Sequence, residues 1–377
     1  MMWERVKLAD VSDSCLGKML DQRKNKGIYK PYLANVNVRW GAFDLDNLQE
    51  MKFEDDEDER YGIKYGDLII CEGGEPGRCA IWKEQLPNMK IQKALHRLRV
   101  NEEMDYRYVY YWFLLAGKQG ALKQYYTGAT IMHMPGQKLK EVVIDKPPLD
   151  VQRKIGDYLE AFDNLIENNQ KQIKLLEEAA QRLYKEWFVD LRFPGYEDVE
   201  IVDSVPEGWS KEPIGSIIGK ASRTKQIKTA DYLLEGAIPV IDQSRNFIAG
   251  YTNDSEALVN TGTPVIVFGD HTRILKYIQF PFAKGADGTQ LIISDRTNMP
   301  QSLLYLSLIA VDLSNYHYAR HFKYLKAESI LIPSQDVADE FDRLISPIFS
   351  QIQKLREKCY KLSQARDRLL PKLMSGE

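Results

Sequence analysis

Two stretches of the chain repeat apolar residues at alternating spacings of four and three. The first runs through Ile155, Leu159, Phe162, Ile166, Asn169, Ile173, Leu176, Ala180, Leu183 and Trp187. The second runs through Phe341, Ile345, Ile348, Ile352, Leu355, Cys359, Leu362, Arg366, Leu369 and Leu373. This a/d pattern predicts two long helices that bury a narrow seam against each other. Its core positions are Ile155, Leu159, Phe162, Ile166, Leu176 and Leu183 on the first helix, and Ile345, Ile352, Leu362 and Leu369 on the second. Asn169 interrupts the first seam, where a buried polar residue fixes register. Arg366 interrupts the second near its end, where its head is expected to reach water. Asp150 and Asp336 are predicted N-caps of the two helices.

Each helix closes a similar series of elements. Strand-like runs come first, Asp67–Cys71 and Pro264–Phe268. Short helices rich in aromatic and aliphatic residues follow, at Tyr106–Leu115 and Ser302–Ile309. A second strand then ends at a proline, Val142–Ile144 before Pro147 and Ile330–Ile332 before Pro333. Residues 139–187 align with residues 325–373 at a constant shift, with matches that include Leu139 with Leu325, Ile166 with Ile352 and Arg182 with Arg368. Upstream, Tyr111 pairs with Tyr305, Gly66 with Gly262 and Trp3 with Trp209 at wider separations, so the second unit has shorter loops. The chain is an internal repeat. The fold class predicted is α+β: two mixed α/β domains separated by a long antiparallel coiled coil of two helices, with pseudo-two-fold symmetry. The boundaries are 1–148 for the first domain, 149–192 for the first spacer helix, 193–206 for a linker, 207–333 for the second domain and 334–377 for the second spacer helix. Helices of this length at ~1.5 Å rise per residue make a rod of roughly 60 Å. Two similar heads on such a rod form a ruler.

With 377 residues the chain exceeds the usual size of one core. Its net charge of −3 excludes a uniformly basic nucleic-acid coat, but not local basic faces. No apolar run is long enough for a membrane span, and the amino terminus lacks a signal-peptide core. Four scattered cysteines predict reduced thiols in a cytoplasm. There is no Walker loop, dinucleotide glycine motif or HExxH. Lys146-Pro147-Pro148-Leu149 lacks the flanking residues of an adenine-methyltransferase motif. His317 and His321 are four apart, which without further ligands favours DNA contact or packing over a metal. The acid run Glu54–Glu59 is expected to be a solvated loop.

Apart from that run, the first head is basic. Clusters occur at Arg23–Lys26, Lys90–Arg99 and Arg223–Lys228. Phosphates attract such cations, and base edges are read by amides, guanidinium groups and hydroxyls. The candidate DNA-contacting residues are Asn35, Asn37, Arg39, Lys93, Thr127, Thr130 and His133 in the first head. In the second they are Gln243, Arg245, His271, Arg273, Tyr316 and Arg320.

These features resemble the DNA-specificity subunit of type I restriction-modification systems, along nearly the whole chain. The resemblance rests on Pro147-Pro148-Leu149 with Gln152 and Ile155, on Trp187-Phe188, and on Pro206-Glu207-Gly208-Trp209. It rests also on Phe268-Gly269-Asp270-His271-Thr272-Arg273 and Gly285-Ala286-Asp287-Gly288-Thr289. Ser334 and Ala338 depart from the pattern at the second helix start, which weakens the case for symmetric contacts there. The resemblance implies that each head is a target recognition domain reading one half of an asymmetric, bipartite double-stranded DNA site. It implies that the helices space the heads and dock two methyltransferase subunits, with motor-nuclease subunits joining them. It implies a non-catalytic cytoplasmic chain whose partners hold S-adenosylmethionine, ATP and Mg2+. The alternative is a coiled-coil adaptor that binds proteins and does not recognise DNA.

Overall fold

The structure, a computed structural model, describes residues 3–21, 25–219, 221, 224–285, 287–316 and 320–376. Arg23, Lys24, Arg223 and His317 of the sequence-based candidates lie outside the described residues. The chain is α+β and divides into two compact units, residues 1–167 with 360–377 and residues 168–359. None of its described helices is long and apolar enough to cross a membrane.

Both units are built on one plan. In the first, the strand Leu68–Cys71 pairs antiparallel with Leu95–Val100 and with Cys79–Ile81, and Ser12–Leu16 completes a four-stranded sheet. In the second, Val265–Gly269 pairs with Thr289–Ser294 and Leu275–Ile278, and Ile218–Gly219 adds the fourth strand. A second sheet joins Ile28–Leu33 in parallel to Lys90–Ile91, and likewise Ile238–Ile241 to Phe282–Lys284. Gly66 (φ 86°) and Gly262 (φ 70°) turn the chain into the central strands with left-handed backbone that a side chain would strain. The short helices span Tyr106–Gln119 and Gln301–Ala310. Tyr111 and Tyr305 occupy matching places on them.

The strand before each long helix pairs with a strand near the start of its own unit. Val6 is registered with Ile144, and Glu212 with Ile330. A proline then ends each strand, because it has no N–H for the ladder. The long helices follow at Leu149–Tyr184 and Gln335–Ser375, and the first continues through a π-helical turn at Lys185–Val189. Asp150 and Asp336 sit inside the first turn, not at the caps. There they favour the positive end of the helix dipole without satisfying a cap N–H.

The helix starts are clasped differently in the two units. In the first, the buried Gln152 donates from Nε2 to the Pro147 carbonyl (2.8 Å), while its Oε1 accepts the Asp105 N–H (2.9 Å). In the second, Ala338 holds that helix position, and Asn298 donates to the Pro333 carbonyl instead (2.8 Å). The same carbonyl is thus satisfied from a different element.

In the first unit Ile155 and Leu159 share a core with Leu370 and Met374. The second helix buries Leu370 fully, whereas Leu369 is 36% exposed, which corrects the seam position expected at 369. From Leu355 the inward residues run Cys359, Leu362, Arg366 and Leu370. The two successive steps of four at the end shift the stripe toward an 11-residue spacing. Arg366 does not reach water. Its Nη1 pairs with Asp163 Oδ1, and Asp163 Oδ2 accepts from the Tyr111 hydroxyl (2.7 Å). In the second unit Asn169 hydrogen-bonds the Cys359 thiol and Glu177 pairs with Arg356 at 2.7 Å. The first helix rises in number as the second falls, so this pair is antiparallel. None of the four cysteines is in a disulfide.

Candidate nucleic-acid interface

The residues that resemble nucleic-acid contacts divide into exposed tips and buried supports. The supports come first, since they fix where the tips lie. In the first unit the acid run forms a short 3-10 turn, Asp55–Glu57, followed by one helical turn, Asp58–Tyr61. It is not a free solvated loop. Glu57 pairs with Lys18, which is only 2% exposed, and Asp58 accepts from Lys30 (2.8 Å) and pairs with Lys90 (3.0 Å), which is 4% exposed. Burial alone would raise the Asp58 carboxyl, but hydrogen bonds from Lys30 and Lys90 outweigh it and hold the group below its ordinary value. Arg97 is buried too and donates to the Glu59 and Arg60 carbonyls (2.9 Å each), while Arg99 forks onto Asp67 (2.7 Å). Most of the Lys90–Arg99 cluster therefore holds the head together, and Lys93 is its exposed member.

Two buried cations depend on this acidic run. The Asp58→Asn variant is expected to lose about 2–3 kcal/mol, less than a fully buried pair because Asp58 is itself 44% exposed. Because its folded pKa is depressed, the stabilisation is present above the unfolded value and disappears as pH falls through the folded one. Denaturant titrations of wild type and variant at pH 7 and in acid should therefore converge as the pH drops. A constant gap would refute this role.

Three segments of each unit are cross-linked by the same backbone hydrogen bonds. In the first unit the Glu72 N–H donates to Ala94 O (2.9 Å) and the Met134 N–H donates to Glu72 O (2.7 Å). In the second the Asp270 N–H donates to Gly288 O (2.7 Å) and the His321 N–H to Asp270 O (2.9 Å). Ala94 (φ 81°) and Gly288 (φ 83°) share the left-handed conformation at matching points. Residues 34–37 and 242–246, which follow the parallel-paired strands, dock against this frame through one amide each. Asn35 Nδ2 donates to Gly73 O (2.8 Å). Gln243, one methylene longer, accepts the His271 N–H (3.1 Å) and also donates to Asp287 O (2.8 Å). It thereby ties together the two glycine-containing motifs of this unit.

The expected contact residues fall on this frame as follows. Asn35 and Gln243 are fasteners. Asn37 closes its own turn, accepting from Ala34 N (2.9 Å) and donating to Asp44 O (3.0 Å). Arg39 donates to the Val36 and Val38 carbonyls and pairs with Asp44 at 3.5 Å. Thr127 and His133 bond backbone to backbone across a loop whose exposed span includes Thr130, Ile131 and Met132. In the second unit Arg245, His271 and Arg320 are exposed. Arg273 donates to Tyr316 O (2.8 Å) and to His321 Nε2 (3.3 Å), and the Tyr316 hydroxyl donates to Glu328 (3.1 Å) while its ring stacks on Tyr324. Burial, then the charge of Arg273, lowers the His321 imidazole from its ordinary value.

One support had no signal in the sequence. Lys276 is buried and donates to the Asp242 (2.8 Å) and Asn246 (2.5 Å) carbonyls, pinning the 242–246 segment. Burial pulls its pKa down to about 8. The arrangement offers exposed donors and acceptors on a rigid frame, which suits base and phosphate contact. Among the described residues no group of three or more His, Cys, Asp or Glu comes together to hold a metal.

Residues 2–178 match the family described as type I restriction modification DNA specificity domain. The chain is 28% identical over 340 residues to the type I restriction enzyme MjaIX specificity subunit of Methanocaldococcus jannaschii, covering 83% of this chain and 77% of that one. It is 25% identical over 191 residues to the EcoR124I/EcoR124II specificity subunit of Escherichia coli, covering 45% of this chain and 46% of the relative. Its fold is that of the type I restriction-modification S subunit from M. genitalium, with a TM-score of 0.56, 16% identity and coverage of 98% and 96%. The second unit, which the family match covers only at residues 168–178, repeats the sheets and loop frame of the first. Residues 2–178 thus match a DNA specificity domain, and most of the chain is similar to specificity subunits of type I restriction-modification systems.

Proposed function

We propose that this chain reads a bipartite, asymmetric double-stranded DNA target, one half with each unit. The observation that carries the reading is the loop frame shared by both units but tipped with different side chains. Thr127, Thr130, His133 and Lys93 face solvent in one; Arg245, His271 and Arg320 do so in the other. Equal frames with unequal tips read unequal half-sites. The long helices act as the spacer and as the dock for two methyltransferase subunits, which motor-nuclease subunits join. S-adenosylmethionine, ATP and Mg2+ are bound by those partners, and the chain works in the cytoplasm beside the DNA.

The test is genome-wide mapping of methylated adenines with and without the chain. A split motif should vanish on deletion. Exchanging residues 207–333 for those of another specificity subunit should rewrite one half of that motif and leave the other intact. A simultaneous change in both halves would refute independent reading, and an unaltered methylation pattern on deletion would favour an adaptor role.

A further inference from the structure

The segment 242–247 of the second unit is pinned at three points. Lys276 holds the Asp242 and Asn246 carbonyls, and Gln243 bridges the two glycine-containing motifs. The third pin comes from the second long helix. Phe247, two residues beyond the exposed Arg245, has the Arg356 guanidinium carbon 4.1 Å from its ring centroid. It also meets Phe280 edge-on at 6.2 Å. Arg356 cannot swing away freely, because its Nη2 donates to Glu177 on the first long helix at 2.7 Å. A guanidinium over an aromatic face at this separation is an attractive contact that strengthens as water is removed.

We propose that Arg356 is a positioning residue that couples the second long helix to the 242–247 segment and thereby sets discrimination at the second half-site. The inference rests on the recognition reading above. Arg356 touches no DNA in this account. It fixes where Phe247 sits, and Phe247 fixes the path of the backbone that carries Arg245 and Gln243. A change of the helix pair on binding a partner is then felt in base discrimination by this unit. In the first unit the fastener Asn35, which donates to Gly73 O and accepts from Arg78, bonds to neither long helix through these contacts.

The test uses the complex assembled with its methyltransferase subunits and competitor duplexes in which each base pair of both halves is replaced in turn. Phe247→Leu keeps an apolar filler and removes the aromatic face. Arg356→Met keeps the stem and removes the cation. Each should lower discrimination at the second half about three- to tenfold, the worth of one such contact, with the first half unchanged. Arg356→Lys, which returns a cation to the ring, should recover at least part of the loss. Thermal unfolding of each complex separates this effect from general loosening. Equal losses in both halves, or full discrimination in the Phe247→Leu complex, would overturn the proposal. A wild-type complex that discriminates at neither half would instead remove the recognition reading on which it rests.

Discussion

Replacing Phe341 by alanine is expected to destabilise the second unit by about 3–5 kcal/mol, the range for deleting a fully buried aromatic side chain. Phe341 has no solvent exposure and packs against Phe188 at 4.8 Å, edge to face, and against Trp187 at 5.4 Å. Phe188 continues the contact to Trp209 (5.6 Å), and Trp209 to Phe193 (4.7 Å). The rings come from the end of the first long helix, the chain that leaves it, the entry to the second domain and the start of the second long helix. No neighbour can collapse into the void without pulling on all of these. Phe341→Leu keeps most of the volume and should cost under about 1.5 kcal/mol. Hydrogen exchange over residues 335–352 reads this region directly, so other transitions in a chain of two units do not obscure it. A loss below about 1 kcal/mol for Phe341→Ala would show that the aromatic cluster is not the joint described here.

That cluster also explains what the recognisable sequence words do. Trp187-Phe188 and Pro206–Trp209 carried the family resemblance, yet none of them reaches the loop frame. They form the joint between helix and head. Gly208 adopts φ 78° in the turn that brings Trp209 inward. Family words of this kind report the scaffold.

The elements that depend on local periodicity were legible: both long helices, the proline-ended strands and the short helices ahead of them. Hydrogen bonds between segments far apart in sequence were not. Asn35 and Gln243 were singled out for their amides, and those amides fasten Gly73, His271 and Asp287. A residue type announces the bonds a side chain can make, not with whom. The buried lysines went unread for the same reason, since a basic cluster looks alike in water and in a core. The acid run within the same head was the available clue, because Lys18 and Lys90 need carboxylates when desolvated. Leu370 was readable by stepping four, not three, beyond Arg366.

Removing the charge at position 366 is the second large effect expected. Arg366→Ala should cost about 2–4 kcal/mol, because Asp163 is then left half-buried with the Tyr111 hydroxyl as its described partner. Burial tends to lower the Arg366 guanidinium, and the charge and hydrogen bond of Asp163, with the charge of Asp367, together more than offset this. The internal repeat supplies an apolar alternative. Position 163 corresponds to Phe349, position 366 to Ala180 and Tyr111 to Tyr305. In the second unit Phe349 meets Tyr305 at 5.6 Å and Tyr277 at 4.6 Å, with Ala180 fully buried in the same core. One unit therefore fills the socket with an ion pair and the other with rings. Because a buried ion pair loses hydration that its Coulomb attraction only partly restores, the two solutions should be close in stability. Transplanting the second into the first, Asp163→Phe with Arg366→Ala, should bring stability back to within about 1 kcal/mol of wild type. Denaturant unfolding of the two single variants and the double variant measures the coupling between the sites. Additive losses would show that the pair acts through separate neighbours, and the correspondence between the two sockets would then have no energetic content.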